Sequence, residues 1–203
     1  QRNGSALASY ALGVLYNARS AASEKRGGDP SLDAALATRY FLQAAQKGNA
    51  PSAYNMGLRY MGDAEERDAH KARWGVMPDD ASAREWFAAA ASKSMSLIHK
   101  IHADFLPAMM NYGAMLMEGR GAHDTTRRED LEEAKRVYSR AQALASRAQQ
   151  SKAMLARDDD TPTVAAHMAE QAAAALKHID AVLAVLPAAS STERGPSRSC
   201  TII

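Results

Sequence analysis

Cys200 carries the clearest chemical motif of the chain. It is the only cysteine among 203 residues and stands fourth from the C-terminus, in the run C-T-I-I. A cysteine followed by two aliphatic or tolerated residues and one final residue is the C-a-a-X signal for prenylation. The sequence therefore predicts a prenyl group on Cys200, and Ile203 favours geranylgeranyl over farnesyl. The alternative is an unmodified, solvent-exposed cysteine.

A single prenyl chain holds a protein at a membrane only reversibly, so a second signal is usually needed. Residues 188–203 provide only a weak second signal. Their charged side chains, Glu193, Arg194 and Arg198, give a net charge of only +1, and no second cysteine is present for palmitoylation. A membrane-bound partner or sequence upstream of Gln1 would have to supply it. Because prenyltransferases are cytosolic, we expect a cytoplasmic protein that is peripheral at the cytosolic face of a membrane.

Other kinds of chemistry find no support in the sequence. The 25 basic and 23 acidic residues give a net charge of +2, whereas nucleic-acid binding is typically marked by a basic stripe. One cysteine allows neither an intrachain disulfide nor a cysteine-based zinc site. No phosphate loop, nucleophile elbow or pair of carboxylates at a defined spacing occurs. We therefore expect no catalytic residues, no cofactor, no metal, no nucleic acid and no small-molecule substrate.

Three similar segments indicate internal repeats: residues 10–16, 54–60 and 110–116. Each has a glycine, with bulky residues three before, one before and three after it, and a small residue five before it. On a helix these positions form one apolar face with a notch at the glycine. A glycine inside a helix costs about 1 kcal/mol relative to alanine. Its recurrence as Gly13, Gly57 and Gly113 predicts close approach of a neighbouring helix.

A second type of segment follows each of the first: residues 37–45, 83–91 and 134–142. Each begins with alanine, has an aromatic residue four positions later and has another alanine seven positions later. Alternating small and large side chains suit tight packing of antiparallel helices. We call the first type helix A and the second helix B. The sequence predicts this pair three times.

Composition and boundary signals agree with an all-helical chain. The 44 alanines outnumber the 11 isoleucines and valines together, which favours helix over strand. Asp29 with the following proline predicts one helix start, and Thr126 with Glu129 forms a capping box at another. The longer spacing between later copies predicts insertions at 62–78 and 94–105.

A last amphipathic helix is predicted to begin after Thr161 and to end at Pro187. A stack of helical repeats needs a terminal element with a polar outer face, and this helix fits that role. The tail that follows is rich in Ser, Arg, Gly and Pro, which predicts disorder. The expected organisation is repeats over 1–157, a capping helix over 158–187 and a disordered tail over 188–203.

Both patterns, together with residues 117–122, resemble Sel1-like repeats, relatives of the tetratricopeptide repeats. The resemblance covers roughly residues 5–148, and the third copy departs most because Val137-Tyr138 replaces the usual aromatic pair. It implies an all-α fold: a right-handed α-solenoid of about three helix pairs. It also implies a non-enzymatic adaptor or scaffold that binds protein partners in a concave groove lined by helix A.

Three polar residues are candidates for that groove. Asn55 and Arg59 are four apart and share a helix face, and Asn111 stands at the position equivalent to Asn55. Such groups can hydrogen-bond the backbone or a carboxylate of an extended peptide. The alternative is an ordinary solvated helix face.

The leading interpretation is therefore an adaptor tethered to a membrane by prenyl-Cys200. Fungal activators of chitin synthase resemble this chain in combining Sel1-like repeats with a C-a-a-X motif, so a regulatory subunit of a membrane enzyme is a narrower alternative. A lumenal adaptor of endoplasmic-reticulum protein degradation is a third. A functional C-a-a-X motif would exclude it.

Overall fold

The computed structural model describes residues 5–62, 66–93, 106–122, 125–155 and 164–187. These ranges contain the helices α1 (Ala6–Lys25), α2 (Ser31–Gln46), α3 (Ala50–Tyr60), α4 (Arg67–Trp74), α5 (Asp80–Lys93), α6 (Leu106–Glu118), α7 (Arg127–Leu155) and α8 (Val164–Val185). No strand occurs in the described ranges. The all-α class predicted from composition is confirmed. Cys200, the predicted tail and the predicted boundary after residue 157 lie outside the described residues.

Helix starts follow the capping signals. Thr126 and Glu129 form the predicted capping box: Thr126 N donates to Glu129 Oε2 at 2.8 Å, and Glu129 N donates to Thr126 Oγ1 at 3.2 Å. Asp29 Oδ1 accepts from Ser31 N at 2.8 Å at the start of α2. Satisfying these otherwise unpaired N–H groups stabilises the first turn of each helix.

Each predicted helix A packs against its own helix B through the recurrent glycine. A Cβ atom added to Gly57 in α3 would lie 2.6 Å from the ring of Phe87 in α5. A Cβ atom added to Gly13 of α1 would lie 2.7 Å from the ring of Phe41 in α2, and one added to Gly113 of α6 would lie 2.7 Å from the ring of Tyr138 in α7. The prediction that the glycine permits close helix approach is confirmed in all three pairs.

Contacts between pairs also follow chain order. Helix α2 packs on α3, α5 on α6, and α7 on α8. Phe41 and Met56 share one buried cluster with Ala90 and Ala108. A second cluster joins α5, α6, α7 and α8 around Leu131 and Ile179. Apolar area is therefore buried between neighbours all along the described chain, which is the main source of stability for such a fold.

The insertion predicted at 62–78 contains a helix that the sequence analysis did not identify. Helix α4 ends at Gly75, which has φ 72°, a left-handed conformation that glycine adopts without strain. It packs on α2. Its own residues are mostly exposed, so its position depends on the few contacts described below. The second predicted insertion, at 94–105, lies outside the described residues.

Two ion pairs join α5 to later parts of the chain, one to α7 and one to the turn after α6. Arg84 of α5 meets Asp130 of α7 at 2.5 Å, with the two side chains 13% and 3% exposed. Arg120 donates to both carboxylate oxygens of Asp80 at 3.0 and 2.7 Å. Burial alone would raise the pKa of Asp130, but hydrogen bonds from Arg84 and Thr125 outweigh it and hold that pKa below its usual value.

Candidate protein-binding site

Helix α3 positions two of the three predicted groove residues. Its start is fixed by Asn49, whose side chain accepts from Ser52 N at 2.9 Å, and by Pro51 in the first turn. Asn55 follows one turn later, and its Nδ2 donates to Pro51 O at 2.9 Å. The side chain of Asn55 is therefore held against its own helix, with its Oδ1 and second N–H left for other partners.

Arg59 lies one turn beyond Asn55 and is buried, with only 4% of its surface exposed. Its Nε donates to Thr38 Oγ1 at 2.8 Å, and its Nη2 donates to Asn17 Oδ1 at 2.8 Å. Its Nη1 lies 3.4 Å from Asn55 O. The guanidinium thus joins α3 to α2 and α1, and the helix pair before it supplies two of its three acceptors.

Two aromatic rings complete the surroundings of this guanidinium. Its central carbon lies 4.7 Å from the ring centroid of Phe41 and 4.9 Å from that of Trp74. The rings attract the cation through their negative faces. Trp74 is the last residue of α4, and its carbonyl oxygen lies 2.8 Å from Thr38 Oγ1. We call this group the Arg59 cluster: Asn17, Thr38, Phe41, Asn55, Arg59 and Trp74.

The Arg59 cluster holds a buried positive charge. Desolvation lowers the pKa of Arg59 to about 10, so the side chain is still protonated at neutral pH. Within the described part of the chain, no carboxylate pairs with it. Three of its five N–H groups have the acceptors named above. A carboxylate brought to the remaining two would form charge-assisted hydrogen bonds, which are among the strongest that proteins make.

The three predicted groove residues are only partly brought together. Asn55 and Arg59 share α3 and one hydrogen-bond contact, as their spacing predicted. Asn111 lies in α6, partly buried, at the position equivalent to Asn55. Arg59 differs most from expectation, because it is packed between helices instead of standing on a solvated face. Binding of a peptide by these residues stays a prediction.

Sequence reasoning missed the partners of Arg59. Asn17, Thr38 and Trp74 are distant from it in the chain, and Trp74 belongs to α4, the helix within the insertion predicted at 62–78. One signal was available in the sequence: the position equivalent to Arg59 holds the apolar residues Leu15 and Met115 in the other two pairs. A charged residue at a position that is otherwise apolar indicates a polar partner nearby.

No group of three or more His, Cys, Asp or Glu side chains in the described ranges is placed to hold a metal ion. None of the described helices combines the length and the apolar character required to cross a membrane. The chain was also compared with protein-family models, curated proteins and solved structures, and none of them matches it.

Proposed function

We propose that the chain is a non-enzymatic adaptor built from three Sel1-like helix pairs, arranged as a right-handed α-solenoid that α8 caps. The observation that supports this most is the recurrent glycine contact: Gly13, Gly57 and Gly113 each meet the aromatic residue of their own helix B. Each helix B then packs on the next helix A. Repeat proteins built this way use an extended surface to bind partners.

The proposed partner is a protein that presents an extended peptide segment to the helix A face. Asn55 and Asn111 occupy the same position in successive pairs, so they can pair with backbone groups along one segment. Arg59 is buried, but its charge has no acid partner in the described ranges, so it would attract an acidic peptide to this part of the helix A face electrostatically.

The proposed tether is a prenyl group on Cys200, for a chain that ends at Ile203. It places the adaptor at the cytosolic face of a membrane, where it serves a membrane-associated partner. Regulation of a membrane enzyme, as in chitin-synthase activators, is the narrower form of the same proposal. The sole cysteine at the motif position supports it.

Partner binding is tested with the double variant Asn55→Ala and Asn111→Ala. Proteins that co-purify with the full-length chain are identified, and the affinity of the major one is measured by calorimetry. We expect the double variant to bind at least about tenfold more weakly, equivalent to about 1.4 kcal/mol. Gln171→Ala on the exposed side of α8 is the control and should bind normally. If the double variant binds the partner as tightly as the unchanged chain, the helix A face is not the binding site.

The tether is tested separately with Cys200→Ser. The unchanged chain, expressed in a eukaryotic host, should divide between membrane and cytosolic fractions, since one prenyl chain binds reversibly. The variant should be wholly cytosolic. Intact-mass analysis should show a lipid adduct and loss of the last three residues. An unmodified Cys200 in cells that prenylate a control protein would refute the tether and leave the adaptor proposal standing.

A further inference from the structure

Helix α1 exposes an unusual amount of apolar surface. Its side chains Leu7, Leu12, Val14 and Leu15 are 68%, 39%, 45% and 52% exposed. Ala8 and Ala11, which lie among them on the same side of the helix, are exposed as well. Soluble proteins seldom leave such a contiguous apolar patch uncovered unless it binds something. We call these six residues the α1 face.

The same helix positions are buried in the other two pairs. Five residues before the recurrent glycine, Ser52 and Ala108 are both 0% exposed, whereas Ala8 is exposed. Two residues after the glycine, Arg59 and Met115 are 4% and 2% exposed, whereas Leu15 is 52% exposed. The difference therefore follows the position of the pair in the chain and not the type of residue.

The helix B of the preceding pair covers these positions in the second and third pairs. Phe41 of α2 lies over Arg59, and Phe87 of α5 is clustered with Met115. Each ring thus contacts the glycine of its own pair on one side and the next helix A on the other. No described helix takes that place on α1, because α2 packs on its glycine side.

We propose that the α1 face is a docking surface for one helix of the helix B kind, supplied by a further helical repeat. The docking helix presents an aromatic side chain to Leu15 and flanking alanines to Ala8 and Leu12. This continues the interface that α2 makes with α3 and that α5 makes with α6. Of α2 and α5, α5 is the better model for the docking helix. It covers the apolar Met115, and the equivalent residue on α1, Leu15, is apolar too. The proposal is independent of the peptide groove.

The test uses the full-length chain and a synthetic peptide of residues 79–93, which is α5 preceded by Asp79, whose side chain accepts from Ser82 N. A short helix is marginal in water, so a staple joins positions 85 and 92, which are exposed in α5. Amide shifts of the labelled chain are followed by NMR as peptide is added. We expect saturable shifts confined to residues 7–15. A peptide with Phe87→Ala should bind at least about tenfold more weakly.

Leu15→Glu should abolish the saturable shifts, since it places a charge against an aromatic ring and changes a side chain that is already half exposed. Val185→Glu is the matched control: Val185 is 81% exposed on α8, and this variant should bind like the unchanged chain. Absence of shifts in α1, or equal binding by Leu15→Glu, would overturn the proposal. Light scattering of the chain alone gives one more outcome. A dimer that Leu15→Glu dissociates would show that a second copy occupies the α1 face, and this result would also overturn the proposal.

Discussion

The first and last described helices, α1 and α8, differ in the side chains that they expose. Helix α8 buries Ala172 and Ile179 against α7 and turns exposed polar residues such as His167, Glu170 and Lys177 outward. Helix α1 buries its glycine side and turns leucines outward. In repeat proteins, each repeat is stabilised by its neighbours, and a polar terminal element makes an end soluble. In the described residues, α8 thus presents mainly polar side chains outward, whereas α1 presents mainly apolar ones.

The largest expected difference between the two ends is in stability. Ile179 is fully buried in the cluster shared by α7 and α8, so Ile179→Ala removes packed atoms and leaves a cavity. We expect it to lower the free energy of unfolding by about 2–5 kcal/mol. Leu15→Ala, at the exposed end, should change it by no more than about 0.5 kcal/mol.

Urea unfolding followed by circular dichroism measures both variants. Equal losses would mean that α1 is as tightly covered as α8 in the isolated chain, and the comparison of the two ends would then fail.

A second prediction compares an interior pair with the end pair. In Gly57→Leu, the new side chain would meet the Phe87 ring, which is itself held between α3 and α6. Overpacking there should cost about 1–3 kcal/mol. Gly13→Leu creates the same clash with Phe41, but α1 can shift outward because no described helix covers its other side. We expect a smaller loss for Gly13→Leu, measured as the smaller decrease in melting temperature.

The order of the two melting temperatures decides this prediction. Gly57→Ala and Gly13→Ala serve as milder controls, because each adds only the Cβ atom. An unchanged melting temperature for Gly57→Leu would contradict the register of the helix pairs.

The repeated contacts could be predicted from the sequence because they depend on local regularities. Helical periodicity places the glycine of helix A and the aromatic of helix B on facing sides, and antiparallel pairing brings them together. Capping at Thr126 is equally local. The three predicted pairs therefore agree with the structure at the level of single residues such as Gly57 and Phe87.

The surroundings of Arg59 could not be predicted in the same way. Helix α4 is short and mostly exposed, so no apolar periodicity marks it. The carbonyl of Trp74 and the side chain of Asn17 reach the cluster only after the first two pairs have packed. The sequence analysis therefore predicted Arg59 in an open groove, with a solvated helix face as the alternative, whereas tertiary contacts bury it. A consequence is that Arg59→Ala would disturb folding as well as binding, which is why the asparagines are the better test of the groove.

The smallest expected effect concerns charge, and it distinguishes Arg84 from Arg59. Arg84 pairs with Asp130, whereas Arg59 has no acid partner in the described ranges. The pKa of Asp130 is lowered in the folded chain, so its charge stabilises the fold fully above the unfolded value of 3.8, and this contribution declines as the pH falls from there through the pKa of the folded state. Asp130→Asn should therefore destabilise the chain less at pH 3 than at pH 7. Arg59→Met, which installs the residue of the third pair, should change stability equally at both pH values, because no carboxylate in the described ranges titrates beside Arg59.

Melting curves of the two variants and the unchanged chain at both pH values provide the measurement. A destabilisation by Asp130→Asn that is as large at pH 3 as at pH 7 would show that packing, and not the charge of Asp130, joins α5 to α7.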